Sequence, residues 1–341
     1  MKHLWKYLLP VFLLTGCVLV DEDMSDCDTD YTLDYELRLV TNMTTELQTQ
    51  LSMAADVSVS AALKATMKDI FTDYAHDVNL SFYDVYSDSS RLHNERHIMD
   101  GSQSSYTLYI PVRKYMHLAI ANIDDNHEVV LEADDRCHTS RLTQPVRDTI
   151  DSHSTGIFTA RLPMDVKEGE DQQFNVRLYM ANCASALVLD TLGSGIRDIR
   201  VYASGFATGY SIADSTYRFD YTPIVRARKV PVEGTEPPLC FTTVTFPSRD
   251  VPSSKTTIES PDEFVSEAAE NPLWRYKIYT TLKDGTVTET VLGVKLPLMA
   301  GQMKVVKASI IDDGSCVPVA PWVGSLVTLD WIEQPGWEVD F

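Results

Sequence analysis

The 341 residues contain no Cys-x-x-Cys pair, no Gly-x-Ser-x-Gly elbow, no His-Glu-x-x-His helix and no phosphate-binding glycine loop. With the familiar nucleophile, metal and nucleotide signatures missing, the sequence predicts a protein that is not an enzyme and carries no cofactor or metal. Cys137-His138, or His93 with His97, does not supply a four-ligand zinc set. Asp124-Asp125-Asn126 is not followed by a calcium-loop pattern and lies between two apolar runs, where such residues make a turn, most often that of a hairpin. His117 falls inside an apolar strand pattern and reads as a hydrogen-bonded structural histidine. Positive charge is scarce: 29 Lys and Arg stand against 49 Asp and Glu, a net charge of −20. A surface of that sign repels nucleic acid and anionic lipid, so nucleic acid is excluded as a partner.

The N-terminus carries the strongest motif. Lys2 and Lys6 precede an apolar run from Tyr7 to Leu14 and the small residues Thr15 and Gly16, the three zones of an export signal. The run is far shorter than the roughly 20 residues that span a bilayer. Leu14-Thr15-Gly16-Cys17 matches a bacterial lipobox, which predicts cleavage between Gly16 and Cys17 and acylation of Cys17. Each buried methylene of an acyl chain contributes about 0.8 kcal/mol, so two or three chains hold a protein essentially permanently. An ordinary signal peptide with a chance cysteine is the competing reading. Cleavage leaves 325 residues and a net charge of −22, because Lys2 and Lys6 depart. Asp21, Glu22 and Asp23 open a short acidic block that resembles the surface-export signal of Bacteroidetes-type lipoproteins; a merely solvated acidic tether is the alternative.

Five further cysteines, Cys27, Cys137, Cys183, Cys240 and Cys316, are an odd number, so at least one thiol is free or pairs between molecules. Spacing does not assign partners.

Past residue 30 the pattern is that of strands. Tyr31–Leu39 alternates apolar and polar with period two, and the alternation returns at Val78–Phe82, Tyr106–Ile110, Tyr115–Ile123 and Ile157–Leu162. One helix interrupts them: Val59, Leu63, Met67, Ile70 and Tyr74 recur at helical spacing after a cap at Asp56. The polar segment 167–173 reads as a domain boundary, after which Phe174–Met180 restarts the alternation. Further strands are expected at 199–203, 217–221, 241–246, 276–282, 287–292, 305–310 and 326–331, with Asp284-Gly285 as a hairpin turn. The expectation is a mainly β chain of two tandem sandwiches, with a signal peptide at 1–16, an acidic tether at 17–30, a first sandwich at 31–166 and a second at 167–341.

The lipobox, Asp26-Cys27, Tyr31–Asn42, Tyr115–Asn122, Phe158–Leu162, Leu178–Ala184 and Gly205-Phe206 together resemble the FimB-like fimbrillin-associated anchor proteins. These are surface lipoproteins of Bacteroidales-type bacteria at the base of type V pili, joining the polymer to the outer membrane and limiting its length. Asp28 stands where many relatives carry proline. The resemblance implies two transthyretin-like sandwiches, a lipid anchor in the outer membrane, and fimbrial pilin subunits as partners through strand exchange. In the pilins an arginine-specific protease removes the lipidated segment. Here no Lys or Arg lies between Cys17 and Leu37, and the first basic residue, Arg38, sits inside a patterned strand. The lipidated end is therefore expected to stay attached. A surface glycan-binding lipoprotein using exposed tryptophans among Trp274, Trp322, Trp331 and Trp337 is the second reading, and a tip or accessory pilin the third.

Overall fold

The computed structural model describes residues 31–39, 57–68, 70–71, 75–86, 89–98, 105–168, 172–191, 195–232, 238–250, 265–266 and 272–319. The fold is mainly β, as expected, with one α-helix among the described residues, α1 (Val57–Met67).

A seven-stranded sheet has the order β3 (Arg91–Ile98), β2 (Asp77–Asp84), β5 (Lys114–Ala121), β9 (Phe158–Asp165), β10 (Gln172–Met180), β1 (Tyr31–Leu39) and β4 (Ser105–Ile110). β9 and β10 pair only through Thr159 with Tyr179 and Phe158 with Met180. The sheet therefore parts into two leaves that close on each other. Val78, Leu80 and Phe82 of one leaf and Leu108, Ile110, Val176 and Leu178 of the other share one buried cluster. This is the N-terminal sandwich, and its inward residues are those that the period-two pattern selects.

A five-stranded sheet follows, in the order β16 (Arg228–Val230), β17 (Leu239–Thr245), β11 (Cys183–Thr191), β21 (Met303–Ile310) and β22 (Cys316–Pro318). A six-stranded sheet runs β18 (Val265–Ser266), β20 (Val287–Val294), β19 (Trp274–Leu282), β12 (Ile196–Ser204), β15 (Ile224–Arg226) and β8 (Ile150–Asp151). Leu187, Leu189, Val306 and Ala308 meet Val201, Trp274, Tyr276 and Ile278 between them to form the C-terminal sandwich. The opposite face of the five-stranded sheet is buried too. Ala184, Ala186, Val188, Val244 and Val305 belong to the same cluster as the N-terminal core and as Val59, Leu63 and Met67 of α1, and α1 touches β16. A strand buried on both faces shows no alternation, which is why Cys183–Leu189 is apolar or small throughout.

The two sandwiches are also joined by hydrogen bonds. In a four-stranded sheet, β6 (Val130–Glu132) and β7 (Arg141–Thr143) from the first half continue into β13 (Gly209–Ser211) and β14 (Thr216–Arg218) from the second, and β8 pairs with β15. The boundary expected at residue 167 is corrected by this topology. β10 belongs to the sheet begun by β1, and the polar segment before it closes the β9–β10 connection, with Gln172 Oε1 accepting from Lys167 N at 2.7 Å and Gln172 Nε2 donating to Asp165 O at 3.1 Å. A polar loop between two strands of one sheet has the composition of a linker. The chain changes sheets at Ala181-Asn182 instead.

Local turn chemistry follows the residues. Asp284-Gly285 does join β19 to β20, but as a longer loop: Leu282 N donates to Thr286 O, Gly285 N donates to Leu282 O, and Gly285 sits at φ 92°. Asp124 and Asp125 do form a turn, though β5 pairs with β2 and β9 and not with β6, so it is no hairpin. The strand expected at 217–221 is shorter, ending at Arg218, and the one expected at 326–331 lies outside the described residues.

Gly156 fixes the segment after α1 against the base of β9. A Cβ there would lie 1.8 Å from the carbonyl oxygen of Ile70. Backbone cannot yield as a side-chain tip does, so Gly156→Ala is expected to cost about 2 to 4 kcal/mol. Urea unfolding of the purified variant checks this; wild-type stability would contradict it.

Candidate functional site

The feature of the fold that bears on assembly is the seat of β1. Leu33–Leu39 run parallel to Gln172–Leu178 of β10, and Tyr31–Glu36 run antiparallel to Ser105–Ile110 of β4. Both ladders are made, so β1 has no free edge. Its register sets positions 31, 33 and 35 opposite Ile110, Leu108 and Tyr106, and positions 37 and 39 opposite Val176 and Leu178, all five of which are buried. Arg38 lies opposite Arg177, one residue from the end of the strand. Gly16, Cys17, Asp21, Glu22 and Asp23 lie outside the described residues, as do Cys27, Trp322, Trp331 and Trp337.

Where β1 begins, three connections gather. The register puts Tyr31 beside Ile110, Tyr115 beside Asp84, and Lys114 beside Asp165. Residues 84–86, 111–114 and 165–168 therefore meet at one end of the N-terminal sandwich, where Tyr86, residues 112–114 and residues 165–168 line an open cleft of about 580 Å³. Asp84 organises it. The carboxylate, its side chain only 3% exposed, takes Arg113 through two bonds of 2.6 and 3.3 Å and also accepts from Tyr86 N at 2.9 Å. Val166 N donates to Arg113 O at 3.0 Å, and Lys114 stands 4.0 Å from Asp165. On this stitched frame Val85, Tyr86 and Val112 are exposed by 51, 67 and 41%. Neither the cleft nor these residues carry a sequence signal, because the elements that meet are far apart in the chain.

At the other end of the same strands is a buried polar knot where the sandwiches join. Asn182 Oδ1 accepts from Ile157 N at 3.1 Å while Asn182 Nδ2 donates to Thr155 O at 2.9 Å. Thr155 Oγ1 donates to Asn122 O at 2.8 Å and accepts from Asn126 Nδ2 at 3.1 Å. His153, fully buried, donates its backbone N–H to Val244 O at 2.9 Å, and its ring lies 2.6 Å from Gln144 Nε2 and 3.4 Å from Asn182 Nδ2. The amide neighbours supply no negative charge, and burial pushes the ring down to about 3.

His117 is the structural histidine its position predicts. It is buried, stacked on Phe82 at 4.4 Å, with Nδ1 3.0 Å from Ser81 O, and burial pushes it down to about 4. Cys137, Cys183 and Cys240 are buried free thiols, and Cys316 is buried in the core of the C-terminal sandwich. Burial pushes Cys240 up to about 12, leaving it inert as a nucleophile. Trp274 is fully buried and donates to Leu296 O at 2.9 Å, so it is core and not a sugar platform. Among the described residues no group of three or more His, Cys, Asp or Glu is placed to hold a metal ion, and no helix is long and apolar enough to cross a membrane.

No protein-family model matches the chain, and no curated protein matches its sequence. Solved structures do match. A candidate polysaccharide-binding protein of Bacteroides thetaiotaomicron is 9% identical with a TM-score of 0.50, over 86% of this chain and 99% of that one. A candidate adhesin of Bacteroides ovatus is 12% identical with a TM-score of 0.50, over 88% of this chain and 96% of that one. The fimbrial anchor protein Mfa2 of Porphyromonas gingivalis is 11% identical with a TM-score of 0.46, over 85% and 95% of the two chains. The chain shares the fold of the two Bacteroides proteins over 86 and 88% of its length.

The two buried histidines make stability depend on pH. Each is held below its unfolded value near 6.5, so its contribution is complete above that pH and is lost as pH falls through 6.5 toward 4 for His117 and 3 for His153. The loss is on the order of 3 to 5 kcal/mol per ring over the full window. Urea midpoints are therefore expected to fall between pH 7 and pH 4, and less steeply in His117→Phe. Midpoints independent of pH would contradict the assignment.

Proposed function

We propose that the chain is a surface lipoprotein, acylated on Cys17 and sorted by Asp21, Glu22 and Asp23, that anchors a type V fimbria at the outer membrane and limits its length. The observation that carries this reading is the filled seat of β1, combined with the lack of any Lys or Arg between Cys17 and Arg38. A protease acting at Arg38 would have to draw an ordered strand out of two ladders first. With β1 retained, the connection from lipid to fold is covalent and unbroken. The shared fold with a Bacteroides adhesin candidate supports a place among surface proteins of this kind.

The mechanism follows from the seat. In strand exchange one subunit donates a strand and the next accepts it into an open groove, with main-chain bonds giving affinity and alternate side-chain pockets giving register. A subunit whose groove is filled by its own β1 takes part only as donor. It engages one fimbrial pilin and accepts none, so it ends the fibre at the membrane and fixes its length. A tip or accessory pilin of the same fold would differ by losing its N-terminal segment.

Glycan binding is the second reading. The observation favouring it is the outward pair Tyr202 and Tyr279 on the six-stranded sheet, with ring centroids 6.0 Å apart and the Arg200 guanidinium 5.7 Å from the Tyr279 ring.

Mass spectrometry of protein from the native bacterium is expected to find an acylated Cys17 as the mature N-terminus; a terminus at Leu39 would make the chain a processed pilin. Cys17→Ala is expected to release fibres into the medium or leave them abnormally long. Fibres unchanged by the substitution would turn the assignment toward the glycan reading, which saturable binding to a glycan panel would then establish.

A further inference from the structure

The cleft end of the N-terminal sandwich is where the tether enters, and its surface differs from the rest of the molecule. The chain as a whole carries a net charge of −20, but around this cleft Arg113, Lys114 and Lys167 balance Asp84, Asp165 and Glu168. Two large apolar side chains of the cleft lining, Tyr86 and Val112, stand exposed, and Val85, next to Tyr86 in the chain, is exposed as well. They are held in place by the Asp84–Arg113 pair and the Arg113–Val166 backbone bond. An aromatic ring, two aliphatic side chains and long cationic side chains on a charge-balanced rim form the combination that sits at a bilayer interface, with rings at the headgroup level and lysines reaching to phosphate.

The geometry points to this end seating directly on the headgroup layer of the membrane, with Tyr86, Val85 and Val112 entering the interface and Lys114 and Lys167 over lipid phosphate. The inference rests on the lipid anchor at Cys17 proposed above. Thirteen residues separate Cys17 from Tyr31, a reach of at most about 45 Å. At that length the surface is presented to the bilayer at millimolar effective concentration, so a contact too weak to bind a free protein is populated. The seat also orients the molecule. β10 runs from this end to the junction at Ala181-Asn182, so the C-terminal sandwich faces away from the membrane, toward the fibre.

The test replaces the acyl chains, so that its outcome is independent of whether Cys17 is lipidated in the cell. The mature chain from residue 18 carries a histidine tag at its N-terminus and is captured on vesicles of phosphatidylethanolamine and phosphatidylglycerol doped with a nickel-chelating lipid. Hydrogen exchange is then followed by mass spectrometry. Peptides over 84–86, 111–114 and 165–168 are expected to exchange about threefold or more slowly than in the same protein captured by a C-terminal tag. Tyr86→Ser with Val112→Ser, both at exposed positions, is expected to abolish the protection while capture is unchanged. Equal exchange for the two attachments overturns the proposal. So does faster exchange of these three loops in vesicle-free protein when Asp21, Glu22 and Asp23 are replaced by Asn, Gln and Asn, because the acidic tether would then be what covers the cleft.

Discussion

The backbone ladder on either side of β1 holds the N-terminal sandwich closed. Among the described residues β4 pairs with no strand but β1, so withdrawing β1 would detach β4 as well and uncover Leu108, Ile110, Val176 and Leu178 together. Such a step exposes apolar surface at about 25 cal/mol per Å² and breaks two rows of hydrogen bonds at once. A strand in that position is either permanent or is exchanged for another strand that restores both ladders. The lack of any Lys or Arg between Cys17 and Arg38 favours permanence, and the anchoring proposal grows from that single constraint.

A tether only transmits load if what it is tied to is one body. Here the five-stranded sheet is buried on both faces, by the six-stranded sheet on one side and by the N-terminal core with α1 on the other. Short strands cross between the halves, β7 to β13 and β8 to β15, and the knot of Asn122, Asn126, Thr155 and Asn182 satisfies backbone groups where the chain changes sheets. Buried polar groups of this kind cost stability unless all are paired, and when paired they fix one arrangement of the parts they join. Under the anchoring proposal, force applied to the C-terminal sandwich would pass into the N-terminal one through packed core and hydrogen bonds.

Much of this was legible in the sequence and part was not, for physical reasons. Half-buried strands such as β4 and β19 announce themselves because one face meets core and the other water. β11 escapes that test, since burial on both faces erases the alternation. Two- and three-residue strands such as β8 and β15 are too short to show a period, yet they interlock the halves. The misplaced boundary at 167 has the same origin: polar composition reports solvent exposure and does not tell a linker from a loop within one sheet. The parallel pairing of β1 with β10, and the meeting of Tyr86, Val112 and Lys167 around one cleft, depend on contacts between distant segments and have no local signature. Cys17 and the acidic block lie outside the described residues and are legible only as motifs.

The central claim is that β1 never leaves its seat. Glu36 and Asn175 are register partners on β1 and β10, close enough across a ladder for a disulfide to join them, and a Glu36→Cys, Asn175→Cys pair leaves Arg38 untouched. Fibre retention by bacteria carrying this staple, with and without reductant, is the most direct measurement. The account predicts normally anchored fibres of normal length in both conditions. Fibres lost with the staple closed and restored when it is reduced would show that β1 must be released, and would contradict it.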